Sequence, residues 1–295
     1  MPLNPLFPIA IFYFICSTIS LFGNMIMITC FFRERKFNSP CHYMITLTCA
    51  ADMLHLCGHF VFNFQLFYGG PGSQSLCFWL LLPSSIGLCL SSPLLLSMGI
   101  DRFLACQCPI LYRLLCSKRT LYLLIQLTFP IIFTIYINTF SFLQRDANTT
   151  VICQVPLAIS GNTFEKFNKC GLIINIGVVL IYFITYLKLR NQTALVSGLK
   201  FIFKSILYTV IFVILGWCTV TIVNIASIHL VKDVDTRNIC MIYAGMGLNV
   251  ACASNVFVFY IINSEYRTAI RKLFGMKSEV KLHTTLFLNS HLTNK

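Results

Sequence analysis

Long apolar runs constrain this chain more than any other feature of its sequence. One of them begins near Cys77 and ends at Arg102, 25 residues later. A helix over that stretch spans about 37 Å at 1.5 Å per residue, slightly more than the roughly 30 Å hydrocarbon layer of a bilayer. Only 11% of the 295 residues are charged, whereas soluble domains carry about 25%. We therefore expect an integral membrane protein.

The spanning segments are expected to be helices, because only helices and closed barrels satisfy the backbone in lipid and these runs are continuous rather than alternating. Seven such segments can be drawn, which predicts an all-α membrane protein with a seven-transmembrane helix bundle. Their approximate bounds are 7–32, 42–67, 77–108, 120–143, 169–189, 201–230 and 238–262.

The positive charges predict the orientation of this bundle. With seven spans, 17 of the 22 lysines and arginines fall on one side, which is the pattern of a cytoplasmic face. The formal charge of +13 is then explained by anionic lipid rather than by nucleic acid. No Lys or Arg precedes Arg33, so the basic region of a cleaved signal peptide is missing. We expect an extracellular amino terminus and a cytoplasmic carboxyl terminus.

The region after the last span is expected to form a short helix in the membrane interface. Ser264 is predicted to cap it, with Glu265 in its first turn, where negative charge suits the helix dipole, and Gly275 is predicted to end it. An apolar stripe on this helix suits an interfacial position; it consists of Tyr266, Ile270, Leu273 and Phe274. We assign residues 1–275 to one transmembrane domain and 276–295 to a cytoplasmic tail.

Asp52 is the one acid deep inside an apolar span, where an ionisable group is costly and indicates function. Asn24, Ser91 and Asn255 lie at a similar depth, about 10–16 Å above the cytoplasmic ends of their spans. These four residues are predicted to form a buried polar network, with a sodium site at Asp52 and Ser91. The alternative is a protonated Asp52 that serves only helix packing.

Asp101 and Arg102 close the third span, and such a pair can be a simple ion pair at a helix end. The residues around the pair are more specific. They resemble the signature of rhodopsin-like G-protein-coupled receptors, and most of all the nematode serpentine chemoreceptors of class sx. The resemblance rests on Met98 to Ala105, Pro109 to Arg113, Gly23-Asn24, Ala51-Asp52, Cys77, Trp217, Asn255 and Ser264 to Arg267.

This resemblance implies a receptor rather than an enzyme, with no cofactor, a heterotrimeric G protein as partner and an unknown small-molecule or peptide ligand. Asp101 and Arg102 would hold the inactive state and then contact the G protein, and Trp217 and Asn255 would belong to the same switch. Cys77 would form a disulfide with a cysteine of the second outer loop. The candidate for that partner is Cys153, although Cys170 and Cys240 also lie near the outer side.

Several residues depart from the family pattern. The proline and tyrosine that usually follow Asn255 are replaced by Val256 and Phe259. Thr219 stands where a proline usually follows Trp217, and span five has no proline. Prolines kink helices, and in this family the kinks act as hinges, so these changes bear on the efficiency of activation.

The outer halves of spans two, three, six and seven are expected to enclose the ligand. Ser84 stands where amine receptors of the resembled family carry an acid, which disfavours a biogenic amine. Asn148, in the sequon Asn148-Thr149-Thr150, is predicted to be glycosylated. Each polar residue of the predicted pocket is alternatively a packing contact; these residues are His59, Asn63, Ser84, Ser85, Thr221 and Asn224.

Two other classes of membrane protein, a zinc hydrolase and a transporter, remain as alternatives, and a retinal-binding protein is disfavoured. Asp52, His55 and His59 share one helical face, as the metal ligands of a seven-span zinc hydrolase would, but the last span has no histidine to complete the site. A retinal-binding protein would need a lysine in residues 238–262, and that segment has none. A transporter is the second alternative, although no repeated halves are visible.

Overall fold

A computed structural model of the chain describes residues 4–159, 161–191, 207–208, 210–211, 214–216, 218–220, 222–223, 226–227 and 230–276. Over these residues the secondary structure is helical apart from one two-stranded antiparallel ribbon. In this ribbon β1 (Gly72–Ser73) pairs with β2 (Thr150–Val151), and Gly72 lies opposite Val151.

The helices follow one another with short connections. A 3₁₀ turn at Asn4–Leu6 precedes the first helix, and a π-helical turn at Gln65–Gly69 extends the second. The described residues between 207 and 230 are also helical. The remaining helices are α1 (Phe7–Arg33), α2 (Pro40–Phe64), α3 (Gln74–Gln107), α4 (Pro109–Ser117), α5 (Arg119–Leu143), α6 (Val155–Ala158), α7 (Gly161–Asn191), α8 (Val234–Ala244), α9 (Met246–Ile262) and α10 (Ser264–Leu273).

Six helical segments among the described residues are long and apolar enough to cross a membrane. They correspond to the predicted spans one to five and seven. Half of the predicted sixth span, about 201–230, falls outside the described residues. The six segments are Phe7–Arg33, Pro40–Gly69, Gln74–Gln107, Arg119–Leu143, Asn162–Lys188 and Val234–Ile262.

Helix α3 lies at the centre of the bundle. It packs against α2, α5, α6 and α7. In its apolar stretch of 18 residues 67% of the residues are buried, compared with 28% in the corresponding stretch of α5. We call the end of the bundle that holds Arg102 the arginine end, and the end that holds Cys77 the disulfide end. Helix α3 is therefore the most buried of the described spans that join these two ends.

Helices α2 and α3 approach closely at Gly87. A β-carbon on this residue would lie 2.3 Å from the backbone oxygen of Ala51 and 2.5 Å from the backbone nitrogen of His55. Such distances are shorter than any van der Waals contact, so no larger residue fits without moving the two backbones apart. Glycine here sets the separation of the two helices that carry Asp52 and Ser91.

The last span is interrupted at Gly245, between α8 and α9. A β-carbon at Gly245 would lie 2.7 Å from the hydroxyl oxygen of Tyr13, and that hydroxyl donates a hydrogen bond to the backbone oxygen of Ile242 over 2.5 Å. The break therefore accommodates a tyrosine from α1. It lies ten residues before Asn255, at a different position from the proline kink of the resembled family.

The fifth span begins earlier than predicted, at Gly161 instead of about Lys169. Hydropathy alone starts the span too late, because the first turns of the helix carry polar and charged residues. These residues are stabilised locally: Lys169 pairs with Glu165 over 2.6 Å, and Thr163 donates to the side chain of Gln144 over 2.8 Å. Phe167 is buried against Phe133 of α5.

Two helix starts also differ from the sequence-based expectation. The seventh span was predicted to begin at about residue 238, but α8 begins at Val234 because Asp233 accepts hydrogen bonds from the backbone and side chain of Thr236. At α10 the cap is Asn263 rather than Ser264. The Asn263 side chain accepts from the N–H groups of Glu265 and Tyr266, which satisfies two of the unpaired donors of a helix start.

The end of α10 agrees with the prediction. Gly275 has φ = 68°, a conformation that favours glycine. Its N–H bonds the oxygen of Lys272 over 3.1 Å, and the next N–H, of Met276, bonds Arg271 over 2.9 Å. On the apolar face, the Tyr266 ring stacks on Phe37 with centroids 4.4 Å apart. These contacts fix the helix against the arginine end.

Candidate functional site

The arginine end contains a buried ion pair at the end of α3. Asp101 is 0% exposed and Arg102 is 3% exposed. Arg102 Nε donates to Asp101 Oδ2 over 2.9 Å, and its Nη2 donates to the same oxygen. Breaking a buried pair by removing one partner typically costs about 3–5 kcal/mol, because the other charge is left uncompensated.

Two tyrosines from other helices complete this cluster. The Tyr112 hydroxyl, from α4, accepts a hydrogen bond from Arg102 Nη2 over 3.2 Å. The Tyr122 hydroxyl, from α5, donates to Asp101 Oδ1 over 3.1 Å and accepts from Gln126 Nε2 over 3.0 Å. Each charged side chain of the pair therefore has one further partner, and the pair is held between three helices.

Sequence reasoning placed Tyr112 within the signature but missed the role of Tyr122. Its position offered one signal. Tyr122 lies one turn inside the fourth span, three residues after Arg119, at the depth where Asp101 lies in the third span. A polar group at that depth is within reach of the ion pair, although the rotation of α5 that brings it there is not visible in the sequence.

The four polar residues predicted at one depth lie in contact. Asn255 Nδ2 donates to Asp52 Oδ2 over 2.7 Å and approaches Asn24 Oδ1 at 3.4 Å. Ser91 Oγ donates to Asp52 Oδ1 over 3.4 Å. All four side chains are buried. Helices α2, α3 and α9 thus meet at a single carboxyl group, and α1 joins them through the contact of Asn24 with Asn255.

The oxygens of this network fit a hard cation. Asp52 offers a carboxyl group, Ser91 a hydroxyl, and the side-chain oxygen of Asn255 is buried with no hydrogen-bond partner. Carboxylate, hydroxyl and amide oxygens are the ligands that hard cations prefer. The Asn24 NH₂ group donates to the Ser20 hydroxyl over 2.8 Å, so Asn24 joins this set only through its side-chain oxygen, which faces Asn255.

The disulfide end is held together by Cys77 and Cys153, which form a disulfide with their α-carbons 4.9 Å apart. Cys170 and Cys240 are free thiols. Gln74 also ties the loop to α3, since its side chain donates to Ala158 O over 2.5 Å and accepts from the N–H of Asp146 over 2.6 Å. The loop between α5 and α7 is therefore fixed to the start of α3.

The sequon in this loop is accessible. Asn148 is exposed, and its N–H donates to Asp146 over 2.9 Å. Asp146 also accepts from the Thr149 hydroxyl over 2.6 Å. The hydrogen bond from Thr149, followed by that from Asn148, holds the pKa of this exposed carboxyl below its ordinary value. The turn that presents Asn148 is thus ordered by an ionised aspartate.

A cavity of about 50 Å³ lies beneath the disulfide-linked loop. His59 forms part of its wall: the ring stacks on Tyr13 with centroids 4.2 Å apart, and Nε2 donates to Asn249 Oδ1 over 2.6 Å. The residues around the cavity come from α1, α2, α3, the loop, α7, the described helical residues 218–220 and the last span. They are Tyr13, His55, His59, Leu88, Gln154, Val155, Pro156, Phe164, Phe167, Asn168, Val220, Met241, Ile242, Gly245, Leu248 and Asn249.

Residues 17–274 match the family of serpentine type 7TM GPCR chemoreceptors named Srsx. The chain belongs to the Srsx family. A search of curated proteins finds no match. The family match covers both ends of the bundle and the residues between them, so the chain is a receptor of a non-enzyme class with a seven-helix fold.

In this Srsx receptor, part of the predicted pocket serves helix packing. Asn63 donates to the backbone oxygen of His59 over 2.6 Å, and Ser84 donates to that of His55 over 2.5 Å. Ser85 is buried in α3, and none of these three residues lines the cavity. Their role as ligand contacts stays a prediction, because depth in the membrane does not reveal which way a helix faces.

Three predicted residues of the Srsx receptor, Trp217, Thr221 and Asn224, lie outside the described residues. Other residues of the cavity wall were not predicted. Tyr13 and Asn249 lie in spans one and seven, and Gln154 lies in the loop directly after Cys153. The position of Gln154 was the signal available for it: a residue beside the disulfide must lie over the bundle.

The zinc hydrolase alternative does not fit this Srsx receptor. Asp52 turns toward Asn255 and His59 toward Asn249. Over the part of the chain that the structure describes, there is no group of three or more His, Cys, Asp or Glu side chains that could hold a metal ion. The three residues share a helical face in the sequence but belong to different contacts in the bundle.

Proposed function

We propose that this Srsx receptor binds a ligand at the disulfide end, outside the cell, and engages a heterotrimeric G protein at the arginine end, inside. The observation that supports this most strongly is the buried pair of Asp101 and Arg102. A charge pair of this kind is costly to bury, so a guanidinium held by Asp101 and Tyr112 at the end of the central helix is suited to a switch.

The charge distribution supports the orientation. Basic residues of the arginine end include Arg33, Arg35, Lys118 and Arg119, as the positive-inside pattern requires at a cytoplasmic face. The proposed location is the plasma membrane, with the amino terminus outside and residues 276–295 as a cytoplasmic tail after a receptor domain of residues 1–275.

The proposed mechanism is a shift between two states of the bundle. In the inactive state Arg102 is held by Asp101 and Tyr112. Ligand binding under the loop would favour a second state in which the guanidinium is released toward the G protein. Trp217 and Asn255 are proposed to belong to the same switch, and Thr221 and Asn224 to the ligand pocket together with His59.

The Asp52 network is proposed to bias this equilibrium. A sodium ion at Asp52 and Ser91 would draw α2, α3 and α9 together and so favour the state in which they are packed as described. Asn24 would position the network through its contact with Asn255. A ligand that favours the other state must then compete with the ion.

The coupling is tested in cells that express the chain. A screen of odorants and peptides, read by second messengers, first provides an agonist. Nucleotide exchange driven by that agonist should be abolished in Arg102→Ala with surface expression retained, because no cation then remains at the end of α3. Arg113→Ala, an exposed arginine of the same region, serves as the matched control. Exchange retained in Arg102→Ala would refute the proposed coupling.

The orientation has its own test, because Asn148 is glycosylated only if the disulfide end faces outside. A glycosidase should increase the gel mobility of the wild-type chain, and Asn148→Gln should show no such shift. Asn191→Gln, in a similar sequon at the arginine end, should behave as wild type. If the mobility shift were lost in Asn191→Gln and kept in Asn148→Gln, the arginine end would face outside and the proposed orientation would be wrong.

A further inference from the structure

The cavity beneath the loop contains polar atoms that no protein group satisfies. Both ring nitrogens of His55 are buried without a hydrogen-bond partner, and so is the side-chain oxygen of Gln154. These side chains are only 6% and 3% exposed. The side-chain oxygen of Asn168 is likewise buried and unpaired. A buried polar atom without a partner costs about 1–3 kcal/mol, so three residues around one small space call for a further hydrogen-bonding group.

The other polar residues of the wall bond one another, although His59 Nδ1 is also buried without a partner. Tyr13 donates to Ile242 O and His59 to Asn249 Oδ1, while the Asn249 amide donates to Gly245 O over 2.7 Å. These bonds join α1, α2, α8 and α9 into one fixed wall. The groups left for an occupant are therefore His55, His59 Nδ1, Gln154 and Asn168, and His59 Nδ1 is an acceptor because Nε2 carries the proton that it donates to Asn249.

The wall carries no counter-charge for an ionic occupant. Among the described residues that line the cavity there is no Asp, Glu, Lys or Arg, and residues 205–230 of the sequence contain none either. The rings of His55 and His59 lie 5.6 Å apart and neither bonds a carboxylate in the described part of the chain. Burying an isolated charge is far more costly than burying a neutral polar group, so the arrangement favours an uncharged occupant.

The size and roof of the cavity restrict the occupant further. A volume of about 50 Å³ corresponds to about four water-sized positions, enough for a head group of about four non-hydrogen atoms. Gln154 follows Cys153 directly, so the disulfide to Cys77 fixes the acceptor in the roof. The unpaired amide oxygens of Gln154 and Asn168 need donors rather than acceptors.

We infer that this cavity binds the head group of an uncharged ligand that donates hydrogen bonds, such as a hydroxyl or a primary amide. The head group donates a hydrogen bond to Gln154 Oε1 or Asn168 Oδ1, and its remaining donor or acceptor atoms bond the ring nitrogens of His55. This inference rests on the proposed receptor function for its physiological meaning, but the binding itself does not depend on coupling to a G protein.

The test compares four probes of equal size: propan-2-ol, acetone, isopropylammonium and acetate. Each has four non-hydrogen atoms, and they present a donor, an acceptor, a cation and an anion. Binding to the full chain in nanodiscs is measured by saturation-transfer difference NMR, with empty nanodiscs as background. Propan-2-ol should give a signal above background, whereas acetone and the two ions should not.

Variants locate the site. Gln154→Met keeps the length of the side chain and removes the acceptor, and His55→Phe keeps a ring and removes both nitrogens. Each should weaken propan-2-ol binding about fivefold, the effect of losing one hydrogen bond. Ser92→Ala is the matched control, since Ser92 is buried in the same bundle without lining the cavity. Gln154→Glu should gain binding of isopropylammonium.

Equal signals for acetone and propan-2-ol, or a signal for either ion in the wild-type chain, would overturn the inference. So would undiminished propan-2-ol binding in both Gln154→Met and His55→Phe. If a variant fails to fold, the comparison of the four probes on the wild-type chain still decides. Binding without agonist-driven exchange would refute the proposed coupling alone, and exchange without probe binding would refute this site alone.

Discussion

Tyr122 of α5 donates a hydrogen bond to Asp101 of α3 over 3.1 Å. This contact gives the aspartate a partner on the side opposite Arg102, which bonds the other carboxylate oxygen. The acid is therefore held between an arginine of its own helix and a tyrosine of a neighbouring helix. A carboxylate with both oxygens engaged is oriented more firmly than one in a simple ion pair.

Tyr122→Phe is expected to raise agonist-independent nucleotide exchange. The substitution leaves Asp101 Oδ1 without a donor, at a cost of about 1–3 kcal/mol to the state that contains the contact. If that state is the inactive one, 1 kcal/mol increases the active population about fivefold. Tyr136→Phe, on an exposed part of the same helix, is the control. Basal exchange unchanged in Tyr122→Phe would show that the contact does not hold the switch.

The ends of the spans show how far sequence reasoning reaches. Apolar runs located the six predicted spans that the described residues cover throughout, because a helix buried in lipid requires a long apolar run. The start of α7 was missed because its first turns are polar and are stabilised by Glu165 and Lys169, a local contact that hydropathy does not register. The break at Gly245 was missed because its cause is a tyrosine of α1 that is 232 residues away in the sequence.

The two candidate sites differ in the same way. The Asp52 network was predictable because depth along each helix suffices to bring polar groups to one level. The cavity wall was not, because it depends on helix rotation. Ser84 lies at the right depth but donates to the α2 backbone, whereas Tyr13 carries no feature in the sequence that sets it apart from other aromatic residues of span one.

Gly87→Ala is expected to destabilise the bundle. The added β-carbon would contact the α2 backbone at 2.3 Å, and overpacking of this kind typically costs about 1–3 kcal/mol. The measurement is the thermal unfolding midpoint of the purified chain, which should fall. Gly177→Ala is the matched control, because its β-carbon would meet only Leu96 Cδ1 at 3.7 Å. Equal midpoints for the two variants would contradict the close approach of α2 and α3.

Asp52→Asn is expected to remove the effect of sodium on the receptor. The substitution keeps the shape of the side chain and the contact with Asn255, but it removes the negative charge that a cation needs. In the wild-type chain, replacing sodium by choline should raise agonist affinity, and in Asp52→Asn the two salts should give the same affinity. Ser92→Ala, beside Ser91 but outside the network, should keep the wild-type dependence. A wild-type chain indifferent to sodium would leave Asp52 with a packing role only.

Cys77→Ser is expected to impair delivery to the cell surface. The disulfide to Cys153 closes a loop with a sequence separation of 76 residues, and removing a native disulfide typically costs about 2–5 kcal/mol. It also fixes Gln154 in the roof of the cavity, so the fraction that reaches the surface should bind propan-2-ol more weakly. Cys170→Ser, which removes a free thiol of α7, the helix after the disulfide-linked loop, should behave as wild type. Full surface delivery of Cys77→Ser together with unchanged probe binding would mean that the bond organises neither the fold nor the roof.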